Sequence, residues 1–153
     1  MSTIETRLAD LGLTLPDAPA PAANYVPYVR SGDLLHVSGQ ISADENGLIT
    51  GKVGRDLTTE EAAAAAKRCA LSLLAQVRAA CEGDLERLVR VVKLTGFVNS
   101  VPEFTEQPKV VNGASDLLVE VLGDKGRHAR SAVSAGALPM GVAVEIDGVF
   151  EIR

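Results

Sequence analysis

The longest periodic stretch in the chain runs from Thr58 to Gly83. Ala62, Ala66, Cys69, Leu73, Val77 and Ala80 recur at the spacing of one helix face. Thr58 and Thr59 are cap candidates, and Glu61 stands three residues after Thr58, as in a capping box. Gly83 suits the C-terminal stop. The run Ala62 to Ala66 predicts a close helix-on-sheet approach, because small side chains shorten the contact distance. A second helix is predicted from near Gln107, with Pro108 in the tolerated first turn. It carries Val111, Ala114, Leu118 and Val121 inward and stops at Gly123. A short helix opens the chain. Ser2 with Glu5 resembles a capping box, and Ile4, Leu8 and Leu11 mark an apolar stripe that ends near Gly12. Pro16, Pro19 and Pro21 then predict an extended connector.

The strand signals are shorter. Two extended segments are predicted at 25–30 and 34–38, parted by the turn residues Ser31, Gly32 and Asp33. A polar loop rich in Asp, Asn and Gly follows from about Asp44 to Arg55. Further strands are predicted at 90–98, 129–133 and 142–152, with Pro139 and Gly141 punctuating the last connection. No internal repeat is visible. The order helix, two strands, helix, strand, helix, two strands predicts an α+β sandwich, with helices on one face of a mixed sheet.

The 153 residues suit one domain with its own core, in which 1–20 form the N-terminal helix and connector. The net charge of −5 excludes the usual electrostatic nucleic-acid binder, and 3% aromatics disfavour a base-stacking platform. The first residues lack the layout of a signal peptide, and no apolar run approaches the ~18 residues of a membrane helix. A cytoplasmic location and no membrane partner are the expectations. Cys69 and Cys81 fall in one predicted helix, about 120° and ~18 Å apart. That separation forbids a disulfide and lacks metal-ligand spacing, so buried, inert thiols are expected.

Few catalytic motifs survive inspection. Gly47 to Val53 matches a P-loop only in part: the glycines are one residue too close, and Val53 replaces the magnesium-binding hydroxyl. There is no GxSxG elbow and no HExxH. His36 reads as a half-buried strand histidine. His128 shares strand parity with Arg130, and reads either as a ligand-orienting group or as a solvated strand end. Arg130 itself lies in the small, apolar stretch Ala129-Arg130-Ser131-Ala132-Val133 and needs a partner there. Glu145 is one candidate, provided that the last two strands pair and bring the two side chains onto one face. The other reading of Arg130 is an anion site, since a guanidinium holds a carboxylate through two parallel hydrogen bonds.

Several stretches carry a family likeness: Ala20-Pro21-Ala22-Ala23, Pro27-Tyr28-Val29, Val37-Ser38-Gly39-Gln40-Ile41, Gly96-Phe97-Val98-Asn99 and Val111-Asn112. The tail adds Ala129-Arg130-Ser131, Leu138-Pro139 and Val144-Glu145-Ile146. Together they resemble the RidA/YjgF family, also called the L-PSP endoribonuclease family, over about Pro21 to Ile152. The resemblance implies a chorismate-mutase-like fold assembled as a homotrimer, with ligand clefts between subunits. It implies hydrolysis of reactive 2-imino or enamine acids to 2-keto acids and ammonia, without a metal or organic cofactor. By motif, the carboxylate-binding arginine falls on Arg130, the pocket tyrosine on Tyr28, and the strand serine and glycine on Ser38 and Gly39. The family's asparagine falls on Asn112 and its late acidic residue on Glu145. Arg130, Glu145 and Tyr28 are the expected catalytic residues. Arg130, Ser38, Gly39 and Asn112 are the expected binding residues, for a small carboxylate-bearing metabolite. Ala132 stands where a cysteine is usual, which points to a divergent branch. A non-catalytic binder of keto or amino acids is an alternative reading, and an endoribonuclease or translation inhibitor is a further one.

Overall fold

Thr58 and Glu61 close a reciprocal pair at the start of the longest helix. The Glu61 amide donates to the Thr58 hydroxyl, and the Thr58 amide donates to the Glu61 carboxylate, both at 3.1 Å. Two otherwise unpaired helix-end donors are thereby satisfied. In this computed structural model, which describes residues 3–153, the helix α2 runs Thr59–Ala80. From Cys69 to Val77 it is buried on every side, Ser72 and Gln76 included. The helix α1 (Thr3–Asp10) buries Ile4 and Leu8 and leaves Leu11 exposed, and the predicted cap at Ser2 lies outside the described residues. The helix α3 (Gln107–Leu122) turns Val111, Ala114, Leu118 and Val121 inward, as the spacing predicts.

Five strands form the main sheet: β1 (Tyr28–Ser31), β2 (Leu34–Ile41), β5 (Leu88–Asn99), β6 (Ala129–Ala135) and β7 (Val144–Ile152). The predicted polar loop holds a small hairpin of β3 (Ala43–Asp44) and β4 (Gly47–Leu48). The sheet order is β1-β2-β7-β5-β6. Only β5 and β6 run parallel, so the fold is α+β with a mixed sheet. Burial alternates along β7: Val144, Ile146, Phe150 and Ile152 are buried beneath the helices, while Glu145, Asp147, Val149 and Glu151 occupy the other face.

Two strand expectations need correcting. The first strand begins at Tyr28 rather than Tyr25, because Pro27 has no amide to give to a ladder. The second continues past Ser38 to Ile41, across an irregularity where the register against β7 shifts between Val37 and Gln40. His36 is exposed on the uncovered face rather than half-buried. Both cysteines are buried and free, and burial raises both thiols above their ordinary value.

The alanine run serves a helix–helix contact as well as a helix–sheet one. A Cβ at Gly113 would lie 2.0 Å from the Ala63 carbonyl oxygen, so α3 rests on the backbone of α2. Gly113→Ala therefore forces the helices apart. It is expected to lower stability by ~1–3 kcal/mol or more in thermal unfolding. Gly136→Ala, where an added Cβ has nothing within 4 Å, is the control and should unfold with the parent.

Candidate functional site

Arg130 stands on the edge strand β6, opposite Leu94 of β5. Leu94 is buried beneath the helices, so Arg130 points toward them as well. There it meets α3. One Nη1 hydrogen goes to Asn112 Oδ1 at 2.8 Å and the other to Ser115 Oγ at 3.1 Å. Nη2 donates to the Pro108 carbonyl at 3.3 Å. Three acceptors from one helix thus fix the guanidinium. The Nε–H and one Nη2–H keep no partner among the described residues, and the Nε and Nη2 nitrogens share one edge of the guanidinium. They form a two-pronged donor edge of the kind a carboxylate fits.

A second cluster lies across the sheet. Glu145 of β7 sits over Gly39 so closely that a Cβ there would be 2.8 Å from the carboxylate. Only glycine leaves room for that carboxylate. Glu145, Gly39 and Ser38 border a cleft of about 400 Å³ whose walls include Pro21, Tyr25 and Met140. Tyr28 lies beside this cleft, in a shallow hollow with His36, Gly39 and Asp147. Burial raises Glu145 above its ordinary value, and the nearby Asp147 adds to the effect. Asp147 is raised too, by burial first, against a hydrogen bond from Thr95 and the charge of Lys93. The Ser38 hydroxyl is already spent on the Val26 carbonyl at 3.0 Å, which ties the connector to β2.

The expected meeting of Arg130 with Glu145 does not occur within one chain. β5 separates their strands, and the two side chains project from opposite faces. Arg130 joins Asn112, whereas Glu145 joins Ser38 and Gly39, with Tyr28 alongside. Asn112 gives its carbonyl oxygen to Arg130 rather than presenting it to a ligand. Sequence reasoning missed Ser115 altogether. Its signal was its place three residues after Asn112, on the same face of the helix. His128 is no solvated strand end, for it bonds Ser115 and the Gly126 carbonyl. Among the described residues no cluster of three His, Cys, Asp or Glu could hold a metal ion, and no helix is long and apolar enough to cross a membrane.

Residues 5–147 match the family described as "YjgF/chorismate_mutase-like, putative endoribonuclease". The chain belongs to this YjgF/RidA family. It is 54% identical to Protein TCP17 of Trypanosoma cruzi over 152 residues, covering 98% of this chain and 94% of that protein. The crystal structure of protein Atu1372 from Agrobacterium tumefaciens, of unknown function, overlays with a TM-score of 0.92 at 53% identity, covering 99% of this chain and 93% of that one. The YjgF gene product of E. coli overlays with a TM-score of 0.62 at 28% identity, covering 90% of this chain and 94% of that one. This YjgF-family chain thus shares the general fold of the E. coli protein and lies nearer in shape to the Agrobacterium one.

The raised Glu145 makes a test of the cleft's electrostatics. A carboxyl raised on folding stabilises the fold when protonated, and that contribution is lost as pH rises through its folded value. Glu145→Gln removes the buried charge. It is expected to raise the melting temperature at about pH 7 and to lose that advantage as pH falls and the parent carboxyl takes up its proton, which a raised carboxyl does at a higher pH than an ordinary one.

Proposed function

We propose that this chain hydrolyses small 2-imino or enamine acids to 2-keto acids and ammonia, in clefts shared between copies of a homotrimer. The observation that carries the reading is the split site: the anchoring arginine and the acid–base carboxylate lie on opposite faces of one chain's sheet. Only a second copy can bring a Glu145 to an Arg130. The uncovered sheet face supports association, since Phe97, Val133 and Val149 lie on it and Val133 is 46% exposed.

In this reading the free edge of Arg130 takes the substrate carboxylate. Glu145 accepts a proton from water as the water oxygen bonds to the iminium carbon. The C=N π electrons move to nitrogen, giving a tetrahedral carbinolamine. Glu145 passes that proton to the nitrogen, the C–N bond breaks as an oxygen lone pair forms the carbonyl, ammonia leaves, and the hydroxyl proton goes to the Glu145 carboxylate. A carboxylate raised by burial is a stronger base near neutrality than an ordinary one. The iminium carbon is electrophilic already, so positioning supplies much of the acceleration. The backbone beside Gly39 forms part of the cleft wall, and Tyr28 lies in the adjoining hollow. The Ser38 hydroxyl fixes the connector rather than the ligand. No step calls for a thiol, so Ala132 is compatible with the chemistry.

Arg130→Ala and Glu145→Gln should each abolish hydrolysis of 2-iminobutyrate generated in a coupled assay. Full activity in either would sink the assignment. Mixing the two inactive chains under subunit exchange should restore about a quarter of the parental rate, since random assembly rebuilds that share of intact clefts. No recovery would argue against a shared cleft, and solution mass measurement tests the trimer itself. Calorimetric binding of 2-ketobutyrate without imine turnover would favour a binding protein. RNA cleavage that survives further purification would favour the nuclease reading.

A further inference from the structure

The hydrogen bonds around His128 have only one consistent direction. The Gly126 carbonyl can only accept, so His128 Nδ1 carries the hydrogen between them. In the neutral ring Nε2 is then a bare acceptor, 2.9 Å from Ser115 Oγ. The Ser115 hydroxyl therefore donates to His128, and its lone pairs face the Arg130 Nη1 hydrogen at 3.1 Å. Each link orients the next, from a fixed backbone carbonyl to the guanidinium.

We propose that Ser115 and His128 are positioning residues for Arg130, turning its Nε–Nη2 edge outward as the carboxylate-binding edge. The claim rests on the imino-acid reading only for the identity of the ligand. Without the chain of bonds, Ser115 can rotate its hydroxyl hydrogen toward Arg130, and one of the two Nη1 acceptors is lost. Asn112 and the longer bond to the Pro108 carbonyl then hold the guanidinium less firmly. His128 is kept neutral by its surroundings: burial lowers it most, the charge of Arg130 adds, and the Gly126 hydrogen bond opposes. Charged groups around it include Arg130 on the strand that follows, Arg127 before it, Arg90, which donates to the Arg127 carbonyl, Asp116 on α3, Asp124 and Lys125 in the turn after α3, and Lys93 opposite Ala129 on β5.

The test has two arms on the full chain. Nitrogen-15 NMR reads the tautomer and the guanidinium directly. The expected result is a neutral His128 protonated at Nδ1, with separate, slowly rotating Nη signals for Arg130 that merge in Ser115→Ala and in His128→Ala. An Nε2–H tautomer, or an Arg130 rotating freely in the parent, overturns the proposal. The second arm measures 2-ketobutyrate by calorimetry and the imine by steady-state kinetics. Ser115→Ala should raise Kd and KM about tenfold with kcat nearly unchanged, as expected for the loss of one hydrogen bond to a charged group. His128→Gln offers Ser115 a carbonyl acceptor and should stay within about threefold of the parent, whereas His128→Ala should follow Ser115→Ala. Parental Kd and KM in both alanine variants would overturn the role even where Arg130→Ala is dead. A parent that neither binds the keto acid nor turns over the imine defeats the imino-acid reading, and the NMR arm still decides this one.

Discussion

The place of β5 between β7 and β6 governs what the chain can do. With β5 between β6 and β7, the strand that carries Arg130 never touches the strand that carries Glu145. The parallel β5–β6 pairing then sets Arg130 beside Leu94, on the face beneath the helices. The antiparallel β5–β7 pairing sets Glu145 beside Phe97, on the face without them. An intrachain ion pair would have neutralised both groups and left neither available for a ligand. The topology prevents that pairing, so the two charges remain separate resources within one molecule.

The helices were the most legible part of the sequence, because their signals are local. A capping box, a 3.6-residue stripe and a terminal glycine place α2 and α3 within a residue or two of the observed bounds. Strand neighbours are not local. Nothing in 129–133 or 142–152 says which strand each one pairs with, and apolar runs of that kind suit either choice. The likeness to the YjgF/RidA family pointed to Arg130, Glu145, Gly39 and Asn112, but a motif assigns residues without saying which face each will take. Ser38 is instructive in the same way. Its position was marked, yet its hydroxyl is used to hold the connector at Val26.

Buried polar groups show how the cleft wall is held. Gln76 is wholly buried on α2 and gives its amide to the Pro19 carbonyl at 2.7 Å, and to Gln40 Oε1 at 3.4 Å. Gln40 in turn donates to the Ser38 carbonyl at 3.0 Å. Prolines at 16, 19 and 21 stiffen the connector but deprive it of amides, so it must be fastened through its carbonyls. Gln76 supplies one donor, to Pro19, and the Ser38 hydroxyl another, to Val26, while Gln40 braces Ser38 from within β2. A helix stripe read only for apolar residues passes over Gln76, because its role depends on a segment more than fifty residues away.

Both halves of the site therefore share one feature: neither functional group is set by an opposing charge. Arg130 is held by two side-chain oxygens and the Pro108 carbonyl. No carboxylate is among these acceptors, so its positive charge is oriented without being cancelled. Glu145 is held over a glycine and beside another acid, with no cation among the causes of its shift, so its charge too is left unquenched. Such groups are less stable than a matched ion pair would be, and that is their use. In the proposed reaction, a ligand carboxylate at the one, and a proton from water at the other, would relieve a cost that the fold has already met through its core.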